Sequence, residues 1–290
     1  MFLCYNYNKI INKLRKGTMK ILYISDLDGT LLNSDTQISK YSINTINKII
    51  KNGHCFSYAT ARSFPVAYDL TSKLNIDIPV ITHNGVFLVN PRTKKNIISN
   101  FFTYQENLYL IDLFSKYKMT PNVYSFIEEK ERVSLIPDYE NAAKKYYLDS
   151  RKGDKRLRFV ENNNELYVGN IFYYLCMGYK SELQDLYDIL KTDKRFNVIL
   201  ARENSKDFWL DIMPKNATKA NAILKLKEIL GCDKIICFGD GLNDIPMFKI
   251  SDECYAMQNA VMELKQIATA VIEGNNNDGV AKWLSKSLLN

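Results

Sequence analysis

The chain has 290 residues, 46% of them hydrophobic and 24% charged, which excludes a disordered polypeptide and leaves room for two domains or one with a large insertion. Only two histidines, His54 and His83, are present, so a histidine-rich zinc site is excluded and a Ser-His-Asp triad has little to draw on. Four of the seven net positive charges (Lys9, Lys13, Arg15 and Lys16) fall in residues 1–18, and the rest of the chain carries only +3, which argues against a nucleic-acid partner.

Residues 1–18 precede Met19 and the first clear strand, and are expected to be an extension that is untranslated or disordered, and dispensable. Lys20–Ser25 is a short apolar, β-rich run ending in Asp26-Leu27-Asp28-Gly29-Thr30. The spacing of Ile43, Ile46, Ile49 and Ile50 predicts a helix over Ser39–Lys51, stopped at Asn52-Gly53. A strand over His54–Ala59 leads into Thr60-Ala61-Arg62. Phe64–Leu74 reads as a helix with Pro65 in its first turn, and Pro79–Thr82 as a strand. Strands alternating with helices point to a parallel sheet.

After Asn84-Gly85 the texture becomes α+β. Helices are expected at Glu106–Tyr117 and Ser181–Lys191, and strands at Ile171–Tyr179, Asn197–Leu200 and Phe208–Ile212. The alternating pattern then returns, with a helix over Lys219–Leu230 and a strand over Lys234–Gly239 ending in Gly239-Asp240-Gly241-Leu242-Asn243-Asp244. A helix from Ile245, a strand over Glu253–Met257 and a helix over Val261–Ala270 follow. The expected fold class is α/β: a Rossmann-like, doubly wound parallel sheet core (19–86 and 212–290) with an inserted α+β cap domain (87–211).

In open parallel sheets ligands bind beyond the carboxyl ends of the strands. Three strand ends here carry Asp26 and Asp28, Thr60 and Arg62, and Asp240, Asn243 and Asp244. If these strands are neighbours, four carboxylates converge. Two such charges ~4 Å apart repel by ~4 kcal/mol at an effective dielectric of 20, so the cluster needs a cation. Oxygen-only ligands select a hard ion such as Mg²⁺. That arrangement suits phosphate chemistry. One carboxylate can attack phosphorus, Asp28 can pass a proton to the leaving oxygen, Thr60 can donate its hydroxyl, and Lys219 can supply a second cation.

These residues resemble the haloacid dehalogenase-like hydrolase superfamily, in its Cof-type phosphatase branch. The resemblance rests on Asp26–Leu32, Ala59–Arg62, Ile81–Gly85, Ile212–Lys219, Gly239–Met247, Ala256–Ala260 and Asp278–Ala281. Gln258 departs from the family pattern, which has glycine there. The resemblance implies Asp26 as nucleophile and Asp28 as general acid/base. It implies Mg²⁺ held by Asp26, the Asp28 backbone carbonyl and Asp240, with Asp244 ligating or supporting it. Thr60, Lys219 and Asn243 would hold the phosphate, with Arg62 and Asn84 as further phosphate-binding candidates.

The expected function is therefore Mg²⁺-dependent hydrolysis of phosphomonoesters of small metabolites, sugar phosphates foremost, through an aspartyl-phosphate. The competing readings are a phosphosugar mutase or phosphotransferase on the same core and a non-catalytic phospholigand-binding protein. The cap is expected to close over the site and set specificity. The six cysteines lack a Cys-x-x-Cys pair and read as buried free thiols, which points to the cytoplasm. No membrane partner is expected, because no apolar run nears the ~20 residues that span a bilayer. A monomer is expected.

Overall fold

Strand β1 (Ile21–Ser25) is buried from Leu22 onward, as a strand covered on both faces must be. This computed structural model describes residues 19–138, 141–203 and 206–289, so the N-terminal extension expected at 1–18 lies outside the described residues. Helix α1 (Lys40–Lys51) starts where the Ser39 hydroxyl accepts the Ser42 N–H at 3.0 Å, and it buries Ile46 and Ile49. Strand β2 (Cys55–Tyr58) and helix α2 (Phe64–Thr71) follow. The helix ends three residues before the expected Leu74, whose N–H instead closes a turn onto the Thr71 carbonyl at 2.8 Å. Strands β3 (Val80–Thr82), β4 (Phe87–Asn90) and β5 (Lys95–Ser99) form an antiparallel sheet in that order. A parallel bridge between Ala59 and Ile81 ties β3 to the chain just past β2.

The chain then forms a second unit, Asn100–Ala217. Helix α3 (Tyr104–Lys116) opens with a capping box between Thr103 and Glu106. Strands β6 (Asn122–Ile127) and β7 (Lys130–Leu135), helix α4 (Ala142–Ser150), strand β8 (Leu157–Phe159), helix α5 (Asn163–Leu166), strand β9 (Asn170–Tyr179), helix α6 (Lys180–Leu190) and strands β10 (Phe196–Arg202) and β11 (Asp207–Pro214) complete it. The six-stranded sheet has the order β10-β11-β9-β6-β7-β8 and is antiparallel except between β7 and β8. Leu110 and Phe114 of α3 and Leu183, Leu186 and Leu190 of α6 share a core with Val123, Tyr174, Cys176 and Leu210 of the sheet.

The first unit resumes at Thr218. Helix α7 (Lys219–Leu230) stops at Gly231, whose φ of +61° suits glycine. Strand β12 (Lys234–Gly239), helix α8 (Ile245–Lys249), strand β13 (Glu253–Met257), helix α9 (Met262–Ile267), strand β14 (Ala270–Ile272) and helix α10 (Gly279–Leu288) follow. The five-stranded sheet is parallel throughout, in the order β14-β13-β12-β1-β2. Ser25 pairs in register with Phe238 on one side and Tyr58 on the other, so the carboxyl ends of β12, β1 and β2 lie side by side. This is the α/β fold with a parallel core that the alternating pattern predicts.

Two further boundaries differ from expectation. The helix expected over Val261–Ala270 stops at Ile267. Thr269 exchanges hydrogen bonds with Cys254 (its N–H to the carbonyl, 2.8 Å; its Oγ1 from the amide, 3.0 Å), which draws Ala270–Ile272 out as an edge strand. The two compact units divide at Ser99/Asn100 and Ala217/Thr218 rather than at 86/87 and 211/212, because β4 and β5 extend the sheet begun by β3. Among the described residues Cys55, Cys176, Cys232, Cys237 and Cys254 are free thiols, and no helix is long and apolar enough to cross a membrane.

Candidate active site

Asp26 continues β1 by one ladder bond, its N–H donating to the Phe238 carbonyl at 3.0 Å. Its side chain then turns onto the chain end, where Oδ1 accepts the Leu27 N–H at 2.7 Å and faces Lys219 Nζ at 2.9 Å. Next come Asp28 (φ −68°, ψ 130°) and Gly29 (φ +68°, ψ −1°), the two central residues of a type II turn. Gly29 is required twice over. Its φ is left-handed, and an added Cβ would stand 2.2 Å from Asp240 Oδ2. The turn thus lies directly against the carboxylate at the end of β12. Thr30, buried at its end, donates from Oγ1 to Asp240 Oδ1 at 2.7 Å.

Lys219 is the first residue of α7 and is 2% exposed. Gly85 lets it come close: with φ +99°, its missing Cβ would meet the Thr218 carbonyl at 2.2 Å. The Lys219 ammonium bridges Asp26 Oδ1 at 2.9 Å and Asp244 Oδ1 at 2.7 Å. The other oxygen of Asp244 accepts the N–H groups of Asp240 (2.9 Å) and Gly241 (3.0 Å). Both oxygens of Asp244 are therefore engaged by the protein, which casts it as the group that holds Lys219 and the Asp240 loop in place.

Asp26, Asp240 and Asp244 each present an oxygen within 4.8 Å of the others. Burial pushes the Asp26 carboxyl well above the usual range, and repulsion from Asp244 adds to it against the pull of Lys219. Burial likewise raises Asp240 to about 6, opposed by the Thr30 hydrogen bond. Burial alone would lower Lys219, but Asp244 and Asp26 outweigh it and hold the ammonium above its ordinary value. Among the described residues Lys219 alone is paired with these three carboxylates, and it reaches two of them, so the cluster lacks positive charge. Its donor set is all oxygen. A hard divalent cation such as Mg²⁺ fits that chemistry.

The remaining candidates sit around this cluster in two groups. Thr60 is fully buried, and its Oγ1 accepts the Arg62 N–H at 3.1 Å. Asn84 (φ +54°) folds back so that its N–H reaches the Thr60 carbonyl at 2.9 Å, and its Oδ1 accepts from Asn243 Nδ2 at 3.3 Å. The second group is a pair. Arg62 Nε and Nη2 engage both oxygens of Asp28, at 2.7 and 2.6 Å. The Asp28 side chain, half exposed and paired with Arg62, is thus not one of the three clustered carboxylates.

Sequence reasoning passed over Thr30 and Asn259. Both lie inside runs singled out above, Asp26–Leu32 and Ala256–Ala260, and both hydrogen-bond across the sheet end: Thr30 to Asp240, Asn259 Nδ2 to the Gly29 carbonyl at 2.8 Å. The turn around Gln258 closes without glycine, through the Ala260 N–H to the Met257 carbonyl at 2.9 Å.

The chain and its fold have counterparts among known proteins. Residues 23–284 match the family described as haloacid dehalogenase-like hydrolase, and the chain belongs to that family. It is a hydrolase of phosphoric monoesters. The chain is 28% identical to a 5-amino-6-(5-phospho-D-ribitylamino)uracil phosphatase of Bacillus subtilis, over 93% of this chain and 98% of that one. A second B. subtilis phosphatase of the same description is 25% identical, with the same coverage. Among solved structures, a haloacid dehalogenase-like hydrolase from Bacteroides thetaiotaomicron superposes with a TM-score of 0.76 at 22% identity, covering 93% of this chain and all of that one. A subclass IIB sugar phosphatase superposes at 0.73 with 23% identity, covering 93% and 99%. These structures share the fold.

Proposed function

We propose that the protein is a Mg²⁺-dependent phosphatase that hydrolyses phosphomonoesters of small metabolites, sugar phosphates foremost, through an aspartyl-phosphate on Asp26. The observation that carries this reading is the triangle of Asp26, Asp240 and Asp244, the first and last of them buried, with buried Lys219 bridged between those two. Asp26 and Asp240, with the Asp28 carbonyl, would hold Mg²⁺, which when bound supplies positive charge that lets an anionic phosphate approach an anionic nucleophile.

The protein's own residues divide the work. Lys219 offsets the phosphate charge. The Thr60 hydroxyl, which accepts from Arg62 N–H and so keeps its own proton to give, donates to a phosphate oxygen. Asn243 and Asn84, already paired, supply further amide contacts. An Asp26 oxygen attacks phosphorus in line as the ester P–O bond breaks, and Asp28 gives its proton to the departing alkoxide. Asp28, now a carboxylate, takes a proton from water. The hydroxide attacks phosphorus, the Asp26–phosphate bond breaks, and inorganic phosphate leaves.

Nothing in this cluster reads the leaving group. We assign that role to the Asn100–Ala217 unit. A panel of phosphorylated metabolites, including sugar phosphates and 5-amino-6-(5-phospho-D-ribitylamino)uracil, should be assayed for phosphate release with and without Mg²⁺. Release of free phosphate without an added sugar bisphosphate supports hydrolysis. Turnover only with the bisphosphate would make the protein a mutase, and none with any ester would make it a binding protein.

A further inference from the structure

The segment after β13 touches both carboxylate-bearing loops. The Val261 N–H donates to the Asp240 carbonyl at 2.9 Å, and two residues earlier Asn259 Nδ2 donates to the Gly29 carbonyl at 2.8 Å. The other end of the same amide is also used, because Asn259 Oδ1 accepts the Asn275 N–H at 3.1 Å. Asn275 in turn donates from Nδ2 to the Leu32 carbonyl at 2.9 Å. The stretch that follows the nucleophile is thus held at Gly29 and at Leu32 by two asparagines from distant parts of the chain.

The attached carbonyl is the one that follows the Asp28–Gly29 peptide. With Asp28 at φ −68°, ψ 130° and Gly29 at φ +68°, ψ −1°, the Asp28–Gly29 peptide has the type II orientation. A type I turn with the same ends differs chiefly by a flip of that peptide, which would turn the Asp28 carbonyl to the opposite side. Glycine permits both states. The Gly29 carbonyl belongs to the next peptide, which that flip leaves in place, so the Asn259 bond fixes where the turn sits rather than which type it is.

We propose that Asn259 is a positioning residue for the phosphatase site: by holding the Gly29 carbonyl it anchors the turn to the segment after β13 and so keeps the Asp28 carbonyl and side chain at the reacting centre. The inference rests on the phosphatase reading above. Asn259 touches neither the carboxylate cluster nor the phosphate-binding candidates. It acts through the backbone. It is exposed, so its truncation opens no core cavity and its loss is separable from unfolding.

The test uses the full chain as Asn259→Ala and Asn259→Leu, the second nearly isosteric but without donors. Asn276→Ala serves as control: it removes an exposed pair with Ser34 in the same region but nothing at Gly29. Mg²⁺ affinity is measured by isothermal titration, together with far-ultraviolet circular dichroism, melting temperature, and kcat and KM for an alkyl phosphate and for p-nitrophenyl phosphate. Groups that orient metal ligands change affinity or activity by about 10- to 100-fold when removed. Both Asn259 variants should keep the native spectrum, bind Mg²⁺ about tenfold more weakly, and lose kcat with little change in KM. The loss should be larger for the alkyl phosphate, whose leaving group depends on Asp28. Asn276→Ala should change neither affinity nor kcat. Unchanged Mg²⁺ affinity and kcat in the Asn259 variants, even with a lower melting temperature, would overturn the positioning role and leave the phosphatase reading standing. Absence of both Mg²⁺ binding and turnover in the unsubstituted protein would remove that reading and this inference with it.

Discussion

Arg62 grips Asp28 with a two-pronged fork, Nε to one carboxylate oxygen at 2.7 Å and Nη2 to the other at 2.6 Å. Both oxygens that would carry the catalytic proton are therefore engaged by a guanidinium, which the Asp28 hydrogen bonds hold above its ordinary pKa. For Asp28 to act on a leaving group the fork must open, and the incoming phosphate is the anion that can draw Arg62 away. Charged hydrogen bonds of this kind are worth about 1.5–3 kcal/mol. Arg62→Ala should therefore raise KM by about tenfold or more, and Arg62→Lys should recover only part of that because lysine cannot reproduce the fork. Steady-state kinetics decide it. An unchanged KM in Arg62→Ala would leave the arginine as a partner of Asp28 alone.

Lys219 should matter to the fold as much as to the chemistry. It is the buried cation between Asp26 and Asp244, and removing one member of such a buried group typically costs about 3–5 kcal/mol. Lys219→Met should lower metal-free stability by that order in chemical denaturation, and Mg²⁺ should restore part of it. A variant as stable as the parent would show that the carboxylates tolerate one another unaided.

The pH response of the metal-free protein follows from Asp240. Its carboxyl rises from an ordinary 3.8 to about 6 in the fold, so the folded protein holds this proton more tightly than the unfolded chain. Its contribution to stability is full below about pH 4 and is lost as pH rises through 6. Asp240→Asn removes that titration. Without metal, the variant should gain stability relative to the parent between pH 4 and 6.5, and Mg²⁺ should reverse the ranking at pH 7 by favouring the parent's ionised form. Parallel pH profiles of melting temperature for the two proteins would contradict this.

Exchange of the Asn100–Ala217 unit for that of a related phosphatase should reorder substrate preference while the need for Mg²⁺ persists. The measured quantity is kcat/KM across a fixed panel of phosphate esters. The same ranking before and after exchange would place recognition in the parallel-sheet unit.

Local punctuation made the core legible in the sequence. Lys219–Leu230, Lys234–Gly239 and Glu253–Met257 match their predicted bounds because Gly231 and Gly239 mark where one period stops and the next begins. β14 was not legible. Its apolar residues continue a helical spacing, and only Thr269 bonding to Cys254, fifteen residues away, makes them a strand. The same limit applied at the site. The types and spacing of Asp26, Asp240 and Asp244 announced the carboxylate cluster, since strand ends could be located, whereas Asp28, expected to join it, is taken up by Arg62. Which side chain holds which could not be read. The Arg62 fork spans thirty-four positions, and the Thr30 and Asn259 bonds over two hundred each. Such pairings depend on sheet order, which no local pattern encodes.

The central claim is that Asp26 carries the phosphoryl group. The direct measurement is peptide mass spectrometry of enzyme quenched in acid during turnover of a phosphate ester in the presence of Mg²⁺, with Asp26→Asn run alongside. The account predicts a phosphoryl adduct, 80 Da by the mass of HPO₃, confined to the peptide containing Asp26, and its disappearance together with turnover in Asp26→Asn. Full activity in Asp26→Asn, or an adduct on any other residue, would contradict it.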